Sequence, residues 1–96
     1  MAEPTRRPRG EDPTILVERV QTGVRLEKRM LKVLKGLAEY LDLTLGDLLE
    51  GIVLHAFEGR SALDKDVLKK VAVLKEIYRM DYDASASHRM TERGGS

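Results

Sequence analysis

The 96-residue chain contains no cysteine and no tryptophan, and its only large rings are one Phe and three Tyr. Without cysteine there are no disulfide staples, thiolate zinc ligands or thiol nucleophiles. With so few rings, a core must be assembled from Leu, Val, Ile, Ala and Met. In a chain this short such a core is expected to be thin and to invite a partner subunit. No apolar run approaches the roughly 20 residues needed to span a bilayer. Arg6-Arg7 is followed by Pro8-Arg9-Gly10-Glu11-Asp12-Pro13, where a signal peptide would carry an apolar stretch. A soluble, cytoplasmic protein with no membrane partner is the expectation.

Chemistry-bearing motifs are missing as well. The sequence has no glycine-rich phosphate loop and no HExxH pair, and its two histidines, His55 and His88, have no second ligand at metal spacing. Asp81, Asp83, Ser85, Ser87 and His88 include the residue types of a hydrolytic triad. They lie in a Ser/Ala-rich tail rather than on a rigid cleft-forming scaffold. Neither an enzyme nor a cofactor or metal site is expected.

Charge of one sign is also lacking, since 17 Lys/Arg face 16 Asp/Glu for a net +1. The distribution is uneven, however. Residues 1–35 hold nine basic and five acidic side chains, residues 36–66 two and seven, and residues 67–96 six and four. The basic front third is the part suited to a polyanion.

All three prolines fall in residues 1–13, which read as a flexible basic, Pro-rich arm carrying Arg6, Arg7 and Arg9. From Thr14 the β-branched content rises. Val20, Thr22, Val24 and Leu26 then alternate with Gln21, Gly23 and Arg25, the period of one β-strand. A turn at Gln21-Thr22-Gly23 between two shorter strands is the weaker alternative. Residues 28–42 switch to helical period, with Met30, Leu34, Leu37 and Leu41 on one face and Lys28, Lys32 and Lys35 opposite. Thr44-Leu45-Gly46-Asp47 reads as a cap opening a second helix, with Gly59 placed to end it. Ser61-Ala62-Leu63-Asp64 opens a third, from about Ala62 to Met80, which has more apolar residues than one face requires. The expected organisation is an arm (1–13), a strand-helix-helix domain (14–60), an added C-terminal helix (61–81) and a disordered tail (82–96). The expected fold is mainly α with one short N-terminal β-strand.

A lone strand leaves backbone N–H and C=O groups in need of partners. The symmetric solution is a homodimer in which two copies of the strand pair about a two-fold axis. Its outward face would present Gln21, Gly23 and Arg25 from each chain, and a two-stranded ribbon of that width enters the major groove of double-stranded DNA.

In its order of elements the chain resembles the ribbon-helix-helix family of DNA-binding proteins, the Arc and MetJ type. The likeness runs over about residues 20–58. It is carried by Gly23-Val24-Arg25-Leu26-Glu27-Lys28-Arg29-Met30-Leu31-Lys32-Val33-Leu34, Leu37-Ala38-Glu39-Tyr40-Leu41-Asp42-Leu43-Thr44 and Leu45-Gly46-Asp47-Leu48-Leu49. The resemblance implies an intertwined dimer acting as a prokaryotic transcriptional regulator, such as a repressor. Gln21, Gly23 and Arg25 would read bases, and Thr44, Leu45 and Gly46 would clamp a phosphate with backbone N–H groups. Lys28 and Arg29 would add phosphate contacts, and Arg6, Arg7 and Arg9 would follow the backbone or a minor groove. The alternative is an antitoxin-like interaction subunit that dimerises in the same way and binds a second protein through the third helix.

Overall fold

Each helix starts where a side-chain oxygen accepts the backbone N–H three residues ahead. Glu27 accepts from Met30 at 3.0 Å, Thr44 from Asp47 at 3.0 Å and Asp64 from Val67 at 2.9 Å. These caps satisfy N–H groups that lie outside the helical ladder. They open α1 (Lys28–Leu41), α2 (Leu45–Phe57) and α3 (Lys65–Ile77) in a computed structural model that describes residues 14–92. The third helix begins at Lys65 rather than near Ala62 because Asp64 is its cap. Ser61 is engaged in the preceding loop, where its Oγ accepts the Leu63 N–H at 3.1 Å.

The ends share one geometry. A residue in the left-handed region, Asp42 (φ 61), Gly59 (φ 71) or Arg79 (φ 58), turns the chain out of its helix. The next N–H then reaches back to the last turn, from Leu43 to Ala38 O at 2.8 Å, Arg60 to His55 O at 2.9 Å and Met80 to Lys75 O at 2.8 Å.

Helix α1 is central, with α2 and α3 packed against it. Its Val33, Leu37 and Ala38 are buried, the last two in one cluster with Leu48 of α2, around which Leu34, Leu41, Ile52, Leu63, Val67, Val71 and Leu74 close half-buried. Gly36 lets α3 come close: a Cβ at that position would stand 2.9 Å from Leu74 Cδ2. These four buried side chains are all small or medium-sized, the thin core that the scarcity of aromatics predicts.

The expected strand is not formed. Residues 14–27 are extended, but no β-strand occurs among the described residues, so the chain is all-α and is not a ribbon-helix-helix unit containing a strand. β-Branched residues favour an extended backbone, yet a strand exists only where a second edge supplies ladder hydrogen bonds. The three helices satisfy their own backbones and offer no edge. The alternation that suggested a strand is therefore displayed on an unpaired segment. No helix among the described residues is long and apolar enough to cross a membrane.

Candidate functional site

Two surfaces meet at the start of α1. One is the extended segment itself, on which Ile15, Leu16, Val17, Val20 and Val24 are all exposed, Leu16 to 96%. Apart from the Glu27 carbonyl, which accepts the Leu31 N–H as α1 begins, its backbone makes no backbone–backbone hydrogen bond with other described residues. Arg19 ties it to α2, donating from Nε and Nη2 to the Glu50 carboxylate at 2.9 and 2.8 Å. This bidentate pair raises the Arg19 guanidinium and lowers the Glu50 carboxyl, in both cases chiefly through the hydrogen bond. Helix α2 also carries exposed apolar side chains, Val53, Leu54 and Phe57, the last to 81%.

The second surface is basic. Between positions 14 and 35 six Lys/Arg stand against Glu18 and Glu27. Gln21, Gly23 and Arg25, the expected base readers, are exposed on the extended segment, and a Cβ at Gly23 would meet nothing within 4 Å. Arg25 pairs with Glu92 near the end of the described chain. Lys28, Lys32 and Lys35 are exposed along α1, and Lys32 Nζ lies 5.7 Å from the centre of the Tyr78 ring.

Arg29 is not a free cation. Its Nε donates to Glu27 at 3.0 Å, and its Nη1 donates to the Arg79 carbonyl at 3.0 Å and to Asp81 at 3.1 Å. Its guanidinium carbon also lies 5.4 Å from the centre of the Tyr82 ring. A cation in the first turn of a helix opposes the macrodipole, and these partners explain why one is held there. Glu27 is the hub. Besides capping α1 and pairing with Arg29 it accepts the Tyr82 hydroxyl at 2.6 Å. Burial works to raise its carboxyl, but the bonds from Tyr82, Arg29 and the backbone outweigh burial and hold it at about 2. Burial and the same carboxylate push the Tyr82 phenol up to about 12.

Glu27 titrates lower in the fold than at its ordinary 4.5, so its contribution to stability is complete above about pH 4.5 and is lost as pH falls toward 2. Urea midpoints measured across that window are expected to fall less steeply for Glu27→Gln than for the wild type. Parallel profiles would contradict this assignment.

Thr44, Leu45 and Gly46 form the start of α2 in the expected register. Thr44 and Gly46 are exposed and Leu45 is half-buried. The Leu45 and Gly46 N–H groups precede the helical ladder. A Cβ on Gly46 would come no nearer than 4.0 Å to another group, the Thr44 hydroxyl, so there is room beside this residue at the start of α2. Asp47 is an acidic neighbour in the same turn. Arg6, Arg7 and Arg9 lie outside the described residues.

Neither protein-family models, curated proteins nor solved structures give a match to this chain. Among the described residues no cluster of three or more His, Cys, Asp or Glu could hold a metal ion. His55 instead bonds the Gly51 carbonyl through Nδ1 at 2.8 Å. In the tail, Asp83 accepts from both the N–H and the hydroxyl of Ser85, at 2.9 and 2.7 Å, capping the 3-10 turn Ala84–Ala86. The connection of Tyr82 and Asp81 to the start of α1 is not foreshadowed by any motif. Its sequence traces are a tyrosine standing in an otherwise Ser/Ala/Asp-rich stretch and an arginine in the first turn of α1.

Proposed function

We propose that the protein is a cytoplasmic homodimer that binds double-stranded DNA as a transcriptional regulator. The observation that carries this is the segment 14–26, which is apolar and polar by turns and exposed throughout. Its apolar side chains, like Val53, Leu54 and Phe57 of α2, lie exposed in the single chain, and exposed large apolar side chains in such number mark a surface suited to a partner. A second copy offers the same surface, and a two-fold arrangement covers both at once. The polar side chains Gln21 and Arg25 are of the types that hydrogen-bond adenine and guanine edges. Lys28, Lys32 and Lys35 supply cations for phosphates alongside, and the Leu45 and Gly46 N–H groups, which precede the helical ladder, suit a phosphate at the start of α2.

Titration of a labelled genomic fragment library, followed by anisotropy at several salt concentrations, tests this proposal. Arg25→Ala is expected to weaken binding by about 1–3 kcal/mol and to relax sequence preference. Lys28→Ala and Lys35→Ala are expected to weaken it evenly across sequences and to flatten the salt slope by about 0.9 for each phosphate no longer neutralised. No binding at low salt by the wild type would reject the assignment.

A second reading, a subunit that docks another protein on α3, is favoured by one feature. That helix has no buried residue and carries Leu68, Val73 and Ile77 exposed. In that case Val73→Asp should abolish co-purification of the partner without disturbing the dimer, and unchanged pull-downs would set the reading aside.

A further inference from the structure

Past α3 the chain folds back over the beginning of α1. There Asp81 binds Arg29, the Tyr82 hydroxyl binds Glu27, and Glu92 pairs with Arg25. The same stretch contributes the Arg79 carbonyl to Arg29. These contacts place two carboxylates from one segment on two guanidinium groups of the basic surface. All of the partners are separated by 50 or more residues in sequence.

We propose that residues 79–92 are an autoinhibitory strap that competes with DNA phosphates for Arg25 and Arg29. This rests on the assignment of Arg25 to the DNA face. Asp81 and Glu92 stand where a polyanion would otherwise sit, and each has the charge and oxygen geometry to mimic one phosphate contact. Arg25 and Glu92 are both well exposed, as is Asp81, so water and salt reach the ion pairs freely. Such pairs are weak and exchange readily, as a competitor that must yield to its ligand requires. Tyr82 supplies the anchoring. Its ring is half-buried against Arg29 and its hydroxyl is held by Glu27, so the strap stays in register while its carboxylates exchange. Glu27, a carboxylate at the edge of the proposed DNA face, is likewise engaged from within, by Arg29, Tyr82 and the Met30 N–H.

The test compares the affinity of full-length variants for one DNA duplex at low and high salt. Asp81→Asn with Glu92→Gln removes both strap carboxylates, leaving Arg29 bound only to Glu27 and the Arg79 carbonyl, and is expected to tighten binding by roughly three- to tenfold at low salt, with the gain shrinking as salt screens both sets of contacts. Removing two negative charges anywhere would help somewhat, so the charge-matched pair Glu39→Gln with Asp66→Asn, remote from the strap, is the comparison and should gain less than about twofold. Tyr82→Phe changes no charge but releases the anchor. It is expected to tighten binding by roughly two- to threefold, and it serves as an independent test if the double variant is poorly folded. The strap is rejected if the wild type binds DNA and neither Tyr82→Phe nor the double variant exceeds the charge-matched pair. If neither the wild type nor any variant binds DNA, the DNA assignment fails and the strap falls with it. Helical circular dichroism recorded on every variant separates both outcomes from unfolding.

Discussion

Leu37→Ala is expected to lower the unfolding free energy by about 2–5 kcal/mol, measured by urea denaturation followed by circular dichroism. Leu37 is 2% exposed and sits where α1 meets α2, in the same cluster as Ala38 and Leu48. Truncating it removes apolar surface from the most enclosed point of the fold and leaves a void that half-buried neighbours fill only in part. Small domains have total stabilities of about 5–15 kcal/mol. With only four buried side chains among the described residues, this protein belongs near the lower end, so the substitution removes a large share of what holds the helices together. An effect below about 1 kcal/mol would show that the stabilising contacts lie elsewhere, for instance between copies.

Replacing Val20 and Val24 together by aspartate is expected to act in the opposite way, with no loss of helical signal but an association at least about a hundredfold weaker. Both valines are more than 70% exposed in the single chain, so a carboxylate at either position meets only water there. Buried against a second copy, each valine contributes about 1.5–3 kcal/mol. Two-fold symmetry doubles the number of sites affected, and an unpaired carboxylate in an apolar interface adds a desolvation cost. Under the proposed function DNA binding falls in parallel, because a two-fold dimer would draw half of its duplex contacts from each copy. If the double variant keeps the wild-type oligomeric state, the extended segment is not the interface. The Leu37 and Val20/Val24 variants thus divide the apolar residues into those that hold one chain together and those that join two.

The helices were legible because their signals are local. The Leu34, Leu37 and Leu41 period, the Thr44 side chain three residues before Asp47, and a glycine at position 59 each act within one or two turns. The strand was not legible in the same sense. Alternation at residues 20–26 predicts an extended backbone and even the exposure of Gln21 and Arg25, but pairing depends on a partner edge that one chain does not contain. Helix α2 shows the same limit. Leu45, Leu48, Leu49, Ile52, Val53, Ala56 and Phe57 share a broad apolar face by periodicity, yet only Leu48 is buried, because periodicity gives the direction of a face and not how much of it a neighbour covers. At the candidate site, Glu27 reads from sequence as an unfavourable negative charge beside a basic surface. The fold turns it into a helix cap neutralised by Arg29 and bound by Tyr82. Nothing in residues 20–35 announces a partner 55 positions away. Arg29 illustrates the converse, because its awkward place in the first turn of α1 does mark a residue retained for a tertiary contact.

The proposed function rests on a second copy covering the exposed segment 14–26. Sedimentation equilibrium of the full chain over the micromolar range, alone and with a short duplex, probes that requirement most directly. A folded dimer that adds to DNA as two chains per duplex is predicted. A folded, helical monomer at every concentration, with or without DNA, would contradict it.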